Sequence, residues 1–333
     1  MDNATATTSS PAIRVAGLVK RFGDVVALDG IDLSAEAGSV LGVLGPNGAG
    51  KTTAVRVLTT VLRADAGEAE VLGIDVARHP DAVRARIGLA GQFAAVDPNL
   101  TGRENLQLIA RLTHVRNNRI ARRADELLDQ FGLAEAADRL ARTYSGGMRR
   151  RLDLAAALVH RPPVLFLDEP TTGLDPQGRQ DLWGVIEELA AEGTTLLLTT
   201  QYLEEADRLA DNVVVIDHGR VIAEGTPAQL KARLGGTVIE VGFDDDRTAV
   251  RAGSVLAPFG VRPPERSGAI VRVEVSDGPQ TLVAALRALD GDRLETQSLA
   301  VREPSLDDVF LSLTGRPAQV DETPADILTR GAA

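Results

Sequence analysis

The segment "GPNGAGKT" at residues 45–52 has the residue types and spacing of a loop that binds phosphate groups. Its glycines let successive backbone N–H groups turn towards phosphate oxygens, and the helix predicted after the loop adds the positive end of its dipole. The Lys51 ammonium is suited to neutralising the outer phosphates, and the Thr52 hydroxyl is suited to binding Mg²⁺. The other positions predicted to contact a nucleotide are Gly45, Asn47, Gly48 and Gly50 of this loop and Thr53 directly after it.

A second segment, "VLFLDEP" at residues 164–170, ends an apolar run in two carboxylates. Carboxylates at the end of a buried strand are costly unless they meet a cation. Asp168 is therefore suited to the Mg²⁺ shell, and Glu169 to polarising an attacking water as a general base. The alternative is a pair of carboxylates that simply face solvent, and the presence of a phosphate loop in the same chain disfavours it.

A third segment, "YSGGMRRRLDLAAAL" at residues 144–158, places Ser145, Gly146 and Gly147 at the start of a predicted amphipathic helix. A helix that starts in this way is another anion-binding element. One domain is not expected to use both anion-binding ends on a single ATP, so the pattern predicts a symmetric pair of chains. The predicted core positions of this helix are Leu152, Ala155, Ala156 and Val159.

The elements that must hold these segments are predicted from short apolar runs that alternate with helical patterns. Runs bounded by polar residues or glycine occupy residues 39–45, 163–169, 194–200 and 212–219. They are typical of strands buried on both faces of a parallel sheet, and the helical pattern that ends at Gly193 fits between two of them. The sequence predicts a three-layer α/β core with a mostly helical subdomain inserted at about residues 100–160.

A break near Gly235 and Gly236 separates a second region of the chain. Strands are predicted at 237–243, 269–276 and 295–301, with helices at 278–289 and 305–314. This pattern indicates a small α+β domain with a meandering sheet. The predicted organisation is a disordered leader (1–11), the α/β domain (12–234), the α+β domain (237–315) and a flexible tail (316–333).

The predicted helix at 305–314 has its own signals. Ser305 can cap its start with Asp308 at the capping-box position, and Gly315 is the stop signal. Its apolar stripe consists of Leu306, Val309, Phe310 and Leu313. The stripe either packs on the helix's own small domain or joins this chain to a partner.

The composition limits the classes of function. With 36 basic and 47 acidic residues the net charge is −11, which argues against general nucleic-acid binding, and the arginines of residues 111–123 are interpreted as a solvated helix face. There are no cysteines, and the four histidines lack metal-ligand spacing. No signal peptide and no apolar stretch of about 18 residues is found, so any membrane span must come from another chain.

Taken together, residues 12–234 resemble an ABC-transporter ATPase subunit, because "GPNGAGKT", "YSGGM", "VLFLDEP" and "TGLDP" (172–176) occur in the family's order. The resemblance implies a head-to-tail homodimer that sandwiches two ATP molecules. Ser145 and Gly147 of one subunit would then face the nucleotide held by Lys51 of the other. A small-molecule kinase is disfavoured by the Ser-Gly-Gly segment.

Further positions take roles from the resemblance alone. Gln92 matches a glutamine that senses Mg²⁺ and the attacking water, and Asp175 matches a residue that communicates across the dimer. Phe22 matches an aromatic residue, usually tyrosine, that stacks on adenine; without the family context it would be interpreted as a packed core residue. Met148 replaces the usual glutamine, with a mild expected effect.

Gln201, in "LLLTTQYLEEAD" (196–207), falls where the family usually has a histidine that touches the terminal phosphate. Its amide can donate to a phosphate oxygen and its carbonyl can accept from a dimer partner, but it carries no charge. Together with "GQFAAVDPNLTGRENL" and "REPSLDDVFLSLTG", this glutamine makes the chain similar to the daunorubicin/doxorubicin-resistance type of drug-exporter ATPase. Gln201 is therefore interpreted as a working catalytic variant rather than a sign of lost activity.

This resemblance implies an ATP- and Mg²⁺-dependent subunit that powers export of a hydrophobic drug-like compound through a separate integral membrane permease. It would associate peripherally with the cytoplasmic face of the membrane and bind no nucleic acid. The alternatives are an exporter of lipids or other natural products, a soluble ABC ATPase of translation or DNA repair, and a regulatory nucleotide-binding protein without turnover. Soluble ABC ATPases usually carry two such domains or long coiled-coil insertions, which this chain lacks.

Overall fold

The computed structural model describes residues 11–91, 96–233, 237–275, 278–302 and 305–314. Its contacts divide the chain into two compact units, one comprising the described residues up to 227 and the other those from 228 onwards. Among the described helices, none is both long and apolar enough to cross a bilayer.

The larger unit contains ten strands and seven helices within the described residues, and an eighth helix begins at its end. The strands are β1 (Ile13–Phe22), β2 (Val25–Ala35), β3 (Val40–Leu44), β4 (Ala66–Val71), β5 (Ile74–Asp75), β6 (Ile87–Ala90), β7 (Val164–Asp168), β8 (Thr195–Thr200), β9 (Asn212–Asp217) and β10 (Arg220–Gly225). The helices are α1 (Lys51–Leu58), α2 (Pro80–Arg84), α3 (Gly102–Leu112), α4 (Asn117–Gln130), α5 (Gly146–Ala157), α6 (Pro176–Ala191), α7 (Leu203–Leu209) and α8 (Pro227–Ala232).

The central sheet has six strands in the order β10-β9-β3-β8-β7-β6. All neighbours are parallel except β10, which pairs antiparallel with β9 at one edge. The four apolar runs in the sequence correspond to β3, β7, β8 and β9, so the prediction of a parallel sheet is confirmed.

Alternate side chains of the central strands lie in two different cores. On β7, Leu165 and Leu167 belong to a core shared with the helical segment and α6, whereas Val164 and Phe166 belong to a core shared with α1. Because both faces are buried, the strands read as continuous apolar runs rather than alternating ones.

The layer on the α1 side was not predicted in full. It also contains a four-stranded antiparallel sheet in the order β2-β1-β4-β5. Residues of β1, β2 and β4 complete the second core of this unit. The larger unit therefore has three layers, as predicted, but one outer layer is partly a sheet.

The inserted segment between β6 and β7 is helical, with α3, α4 and α5 as its elements. Thr101 and Glu104 form a capping box at the start of α3. All four predicted core positions of α5 and the turn after it are buried. On α4 and just before it, Arg116, Arg119 and Arg122 are exposed, as predicted for a solvated basic helix face, whereas Arg123 is half-buried and donates to the Leu158 and Val159 carbonyl oxygens.

The smaller unit contains β11 (Thr237–Gly242), α9 (Asp246–Leu256), β12 (Glu265–Ser267), β13 (Ile270–Val275), α10 (Gly278–Gly291), β14 (Ser298–Arg302) and α11 (Leu306–Thr314). Its antiparallel sheet has the order β12-β13-β11-β14. The predicted meander is therefore wrong, because α9 and α10 carry the chain across the sheet and place β11 between β13 and β14. This is the split βαβ arrangement of the ferredoxin-like fold.

The reason for the wrong prediction is that α9 and β12 were not recognised in the sequence. Without α9, the three recognised strands read as sequential neighbours. The predicted capping box of α11 is confirmed, because the Ser305 hydroxyl accepts from the Asp308 N–H and the Asp308 carboxylate accepts from the Ser305 N–H, at 3.2 and 3.0 Å. Its Leu306, Val309 and Phe310 are buried, whereas Leu313 is 42% exposed. Gly315 lies outside the described residues.

Candidate nucleotide-binding site

The site is built at the carboxyl ends of three neighbouring strands of the central sheet. The register pairs Leu44 of β3 with Thr200 of β8, and Thr199 of β8 with Asp168 of β7. Since parallel strands end at the same edge of a sheet, the residues that follow them meet there. The phosphate loop follows β3, the acidic pair ends β7, and Gln201 follows β8 directly.

The loop from Gly45 to Gly50 lies close to neighbouring backbone. A Cβ atom built at Gly45 would lie 2.2 Å from the Ile216 carbonyl oxygen, and one at Gly50 would lie 2.5 Å from that of Ala27. Gly50 also has φ 112° and precedes α1 directly. Only glycine fits at these two positions, and the resulting loop leads straight into the N-terminus of α1, where anions bind.

Lys51 is held at the centre of the site. Its ammonium donates to the Gly45 and Pro46 carbonyl oxygens at 2.7 and 3.2 Å and forms an ion pair with Glu169 Oε1 at 3.3 Å. Burial lowers the pKa of Lys51, and the Glu169 carboxylate opposes this effect. A buried ammonium in a loop of this geometry is suited to an anionic ligand, as predicted for the outer phosphates.

Asp168 joins the phosphate loop to β8. Its Oδ1 accepts hydrogen bonds from the Thr52 hydroxyl at 3.1 Å and from the Thr199 hydroxyl at 2.6 Å. The Thr52 hydroxyl and the Asp168 carboxylate thus bring two hard oxygen donors together beside the phosphate loop. This donor set fits Mg²⁺, which is usually held by one or two protein oxygens together with phosphate and water oxygens.

Glu169 is fixed in an uncommon backbone conformation. Its φ is 50°, in the left-handed region that non-glycine residues rarely adopt. Its N–H donates to both the carbonyl and the hydroxyl oxygen of Thr199, each at 3.1 Å. The side chain is only 8% exposed and lies beside Lys51, so its carboxylate is directed into the site.

Gln201 carries an unsatisfied polar atom. Its side-chain carbonyl oxygen is buried, and it has no hydrogen-bond partner within the part of the chain that the structure describes. A buried oxygen left in this way costs about 1–3 kcal/mol, so a donor from outside the chain would stabilise it. This fits the predicted contact with a nucleotide or a second subunit.

The Ser-Gly-Gly segment forms the start of α5. The Ser145 hydroxyl caps the helix by accepting from the Met148 N–H at 3.2 Å, and Gly146 has open space where a Cβ would lie. Gly146 and Glu169 line the same groove. Met148 packs against the core of the helical segment, which is consistent with a mild effect of its replacing glutamine.

The structure gives a different result for each of the three residues that take a role from the resemblance alone. Asp175 caps α6 by accepting from the Gly178 N–H at 2.9 Å. The Phe22 ring is 47% exposed with the Lys20 ammonium 5.5 Å from its centre, so the interpretation of Phe22 as a packed core residue is wrong and the ring is accessible for stacking. Gln92 lies outside the described residues.

Several residues of the site were missed in the sequence. Thr199 binds both members of the acidic pair, and the only signal for it is that it ends an apolar run. Arg150 donates to main-chain carbonyls around the acidic pair, but nothing distinguishes it from Arg149 and Arg151 in the sequence. A buried hydrogen bond of 3.1 Å from the Trp183 indole to Glu205 joins α6 to α7.

Comparison with known proteins supports the same interpretation. The family profile of the ABC transporter matches residues 28–172, and that of the C-terminal domain of DrrA1-3-like ATP-binding proteins matches residues 225–314. The chain is 53% identical to the daunorubicin resistance ATP-binding protein DrrA3 of Streptomyces coeruleorubidus, covering 93% of this chain and 98% of the relative. It is 50% identical to the daunorubicin/doxorubicin resistance ATP-binding protein DrrA of Streptomyces peucetius, covering 94% and 95%.

Solved structures share the fold of the larger part of the chain. The ADP conformation of an ATP-binding cassette of an ABC transporter matches 66% of this chain and 93% of its own, with 29% identity and a TM-score of 0.60. Subunit cbiO1 of Clostridium perfringens, part of the ABC transporter complex cbiONQ, matches 68% and 92%, with 27% identity and a TM-score of 0.62. The chain thus belongs to the ATP-binding subunits of ABC transporters, of the daunorubicin-resistance type, which hydrolyse ATP to power transport through a membrane permease.

Proposed function

We propose that this subunit powers the export of a hydrophobic drug-like compound, working as a head-to-tail homodimer bound to its permease at the cytoplasmic face of the membrane. The observation that carries the proposal is the constellation of Lys51, Thr52, Asp168 and Glu169 at one edge of the sheet. These residues supply a phosphate-binding cation, two metal-binding oxygens and a general base in one buried place.

In this proposal, Lys51 and the loop N–H groups hold the phosphates of ATP. Lys51 already faces Glu169 at 3.3 Å, so a bound phosphate gives this ammonium a second anionic partner. Thr52 and Asp168 would hold Mg²⁺, which supplies charge stabilisation for phosphoryl transfer when it is bound, and Gln92 is assigned to the same ion from the family resemblance alone. Asn47, Gly48 and Thr53 complete the set that surrounds the phosphates.

Glu169 acts as the general base for the attacking water, because its carboxylate is directed into the site and its backbone is held by Thr199. Gln201 orients the terminal phosphate through its amide N–H groups, while its buried carbonyl oxygen accepts a donor from the second subunit. It therefore supports turnover without titrating.

The second subunit contributes the start of α5. Ser145, Gly146 and Gly147 form a helix N-terminus that adds N–H donors and a positive dipole to the nucleotide held by the other chain. Asp175 connects the two sites across the dimer, and the exposed ring of Phe22 stacks on adenine. Closure of the dimer then drives the permease.

The drug-like cargo is supported by the relatives. Two of them, at 53% and 50% identity along nearly their whole lengths, are daunorubicin-type resistance proteins. A more distant relative, the Nod factor export ATP-binding protein I of Ralstonia nicotianae, is 43% identical over 92% of this chain. Both types of protein match both units of the chain, and the higher identity favours the drug-like class.

The test of the motor is Mg-ATP hydrolysis by the purified protein. Glu169→Gln should lower kcat by about 100-fold or more, because a general base contributes on the order of 10²–10⁴, while ATP binding is retained. Glu188→Gln, an exposed carboxylate on α6, is the matched control and should leave kcat unchanged. Equal turnover by wild type and Glu169→Gln would contradict the assigned role.

The test of the cargo uses cells that produce the chain together with its permease. Daunorubicin should accumulate less in cells with the wild-type chain than in cells with Glu169→Gln, since the variant cannot complete the hydrolysis that resets the transporter. Equal accumulation in the two strains, with ATP hydrolysis intact in the purified wild type, would reject this drug as cargo and leave the ATPase assignment standing.

A further inference from the structure

Arg150, in the first turns of α5, makes an unusual number of contacts with the main chain. Its guanidinium donates to the carbonyl oxygens of Pro170, Asp168 and Glu169 at 2.5, 3.2 and 2.8 Å. It also donates to the carbonyl oxygen of Gly91, just after β6. Four carbonyl oxygens from two separate segments are thus held by one side chain.

The segment it holds is the strained end of β7. Glu169 has φ 50°, and its N–H is bound by Thr199 on the side of β8. Its carbonyl oxygen is bound by Arg150 on the side of α5. A backbone conformation of this kind persists only where the surroundings determine it, and these two residues supply contacts from opposite sides.

The orientation of Arg150 is itself determined. Asp153, one turn further along α5, lies 3.7 Å from its Nη1 atom, and the two side chains are 15% and 2% exposed. The carboxylates of Asp168 and Glu169 add negative potential around the guanidinium. Arg150 is therefore held in one place rather than free to sample the surface.

We propose that Arg150 is a positioning residue, which keeps the backbone of Glu169 in the geometry its carboxylate needs and ties it to the helix that begins at Ser145. This deepens the proposed function and rests on it. Because Ser145 faces the nucleotide of the other subunit in that proposal, whereas Glu169 faces the nucleotide of its own, Arg150 links the two ATP sites within one chain. All four of its hydrogen bonds to the β6 and β7 ends go to main-chain carbonyl oxygens, and it contributes no group to the reaction.

The proposed role of Arg150 depends on the geometry of its guanidinium N–H donors rather than on its positive charge. A guanidinium has five N–H groups in one plane, whereas an ammonium is a compact charge with three donors on a flexible stem. Lysine at this position would keep the charge among the carboxylates but could not reach both Gly91 and Pro170 at once. Arg150→Lys and Arg150→Ala therefore separate geometry from charge.

The experiment measures steady-state ATP hydrolysis, ATP affinity and amide hydrogen exchange in the full-length variants. Arg150→Ala should lower kcat by about 30-fold while KM changes less than about threefold, because displacing a catalytic group by a fraction of an ångström to about 1 Å can cost up to about 10²-fold in rate while the ATP-binding groups stay in place. Arg150→Lys should recover only part of the loss. Arg119→Ala, an exposed arginine of the same helical segment, should behave as wild type.

Hydrogen exchange gives a readout that does not require turnover. In Arg150→Ala, residues 168–172 should exchange faster than in wild type, while the strand β8 exchanges at the wild-type rate. Unchanged exchange in residues 168–172, or a wild-type kcat, would overturn the proposal. A wild-type protein without turnover would refute the proposed ATPase motor instead, and the exchange measurement would still decide the role of Arg150.

Discussion

Four ionisable side chains share the buried edge where the phosphate loop meets β7. Lys51 pairs with Glu169, Arg150 binds the main chain beside them, and Asp168 accepts from two hydroxyls. Buried charges are tolerated only when they are paired or hydrogen-bonded, and each of these four is. Asp153 adds a third buried carboxylate, 3.7 Å from Arg150, so both cations of the site have an anionic neighbour.

The unsatisfied carbonyl oxygen of Gln201 leads to a prediction about turnover. Gln201→Ala should lower kcat by about 10- to 100-fold, since it removes both the amide donor and the acceptor, while Gln201→His should stay within about tenfold of wild type. The measurement is steady-state hydrolysis by both variants, with Gln130→Ala on the surface of α4 as the control. An increase in activity of Gln201→His by orders of magnitude would show instead that the native glutamine is a degenerate residue.

Glu205 leads to a prediction about pH and stability. It is fully buried, and burial raises the pKa of its carboxyl group above the ordinary value of 4.5. A raised folded-state pKa means that its contribution to stability is complete below the unfolded value and is lost as pH rises through the folded value. Glu205→Gln stays neutral at every pH. The Tm of this variant relative to that of the wild type should therefore increase as the pH rises from 5 to 8.

The exposed neighbour Glu204 provides the matched control, because Glu204→Gln makes the same substitution one residue away at an exposed position. Its Tm difference from wild type should be small at both pH values. A Glu205→Gln variant that is destabilised equally at pH 5 and pH 8 would show instead that Glu205 is ionised in the folded protein across this range.

At the scale of elements, most of the residues assigned to ATP lie at helix N-termini. The start of α1 carries the phosphate loop, the start of α5 carries the Ser-Gly-Gly segment, and α6 starts at Asp175. Each is oriented by the strand or helix before it. Helix starts concentrate unpaired N–H groups and a positive dipole, which is why anion-binding residues collect there.

The two roles of Asp175 can be separated by comparing it with another N-cap. Asp175→Ala and Thr101→Ala each remove a capping side chain, so each should cost about 0.5–2 kcal/mol of unfolding free energy. Only Asp175→Ala should also lower the Hill coefficient or kcat of ATP hydrolysis, because Thr101 caps α3 and has no proposed role between subunits. Equal hydrolysis by the two variants would leave Asp175 as a structural cap alone.

At the scale of the whole molecule, the chain has two compact units with separate cores. The core of the smaller unit is built from residues between Ile239 and Leu294. Every described residue assigned to ATP lies in the larger unit. Ligand binding stabilises only the state to which the ligand binds, so the two units should respond differently to ATP.

We expect calorimetry of the full chain to show two transitions, of which only that of the larger unit shifts with ATP and Mg²⁺. At a ligand concentration of about 100 Kd the stabilisation should be about 2.7 kcal/mol. Lys51→Ala should remove the shift without altering the transition of the smaller unit. A common shift of both transitions would show that the units unfold cooperatively.

The sequence by itself determined the elements whose physics is local. Residues 45–52, the acidic pair and the Ser-Gly-Gly segment are each contiguous, so their chemistry can be read without knowing the fold. Four strands of the central sheet, β3, β7, β8 and β9, were equally visible, because burial on both faces makes them continuous apolar runs, whereas β6 and β10 were not predicted. In the smaller unit the recognised strands were correct, but their order was not, since α9 and β12 lack comparably strong patterns.

Only the tertiary structure decided which distant residues support the site. Thr199 and Asp168 are 31 residues apart, and Trp183 and Glu205 are 22 residues apart, so no local pattern joins them. Arg150 could not be told from Arg149 or Arg151, because each step along a helix rotates the side chain by about 100° and only packing shows which one faces inward. The sequence likewise could not show that the Phe22 ring is exposed or that the Gln201 carbonyl oxygen is buried. Both depend on how neighbouring elements pack in the folded chain.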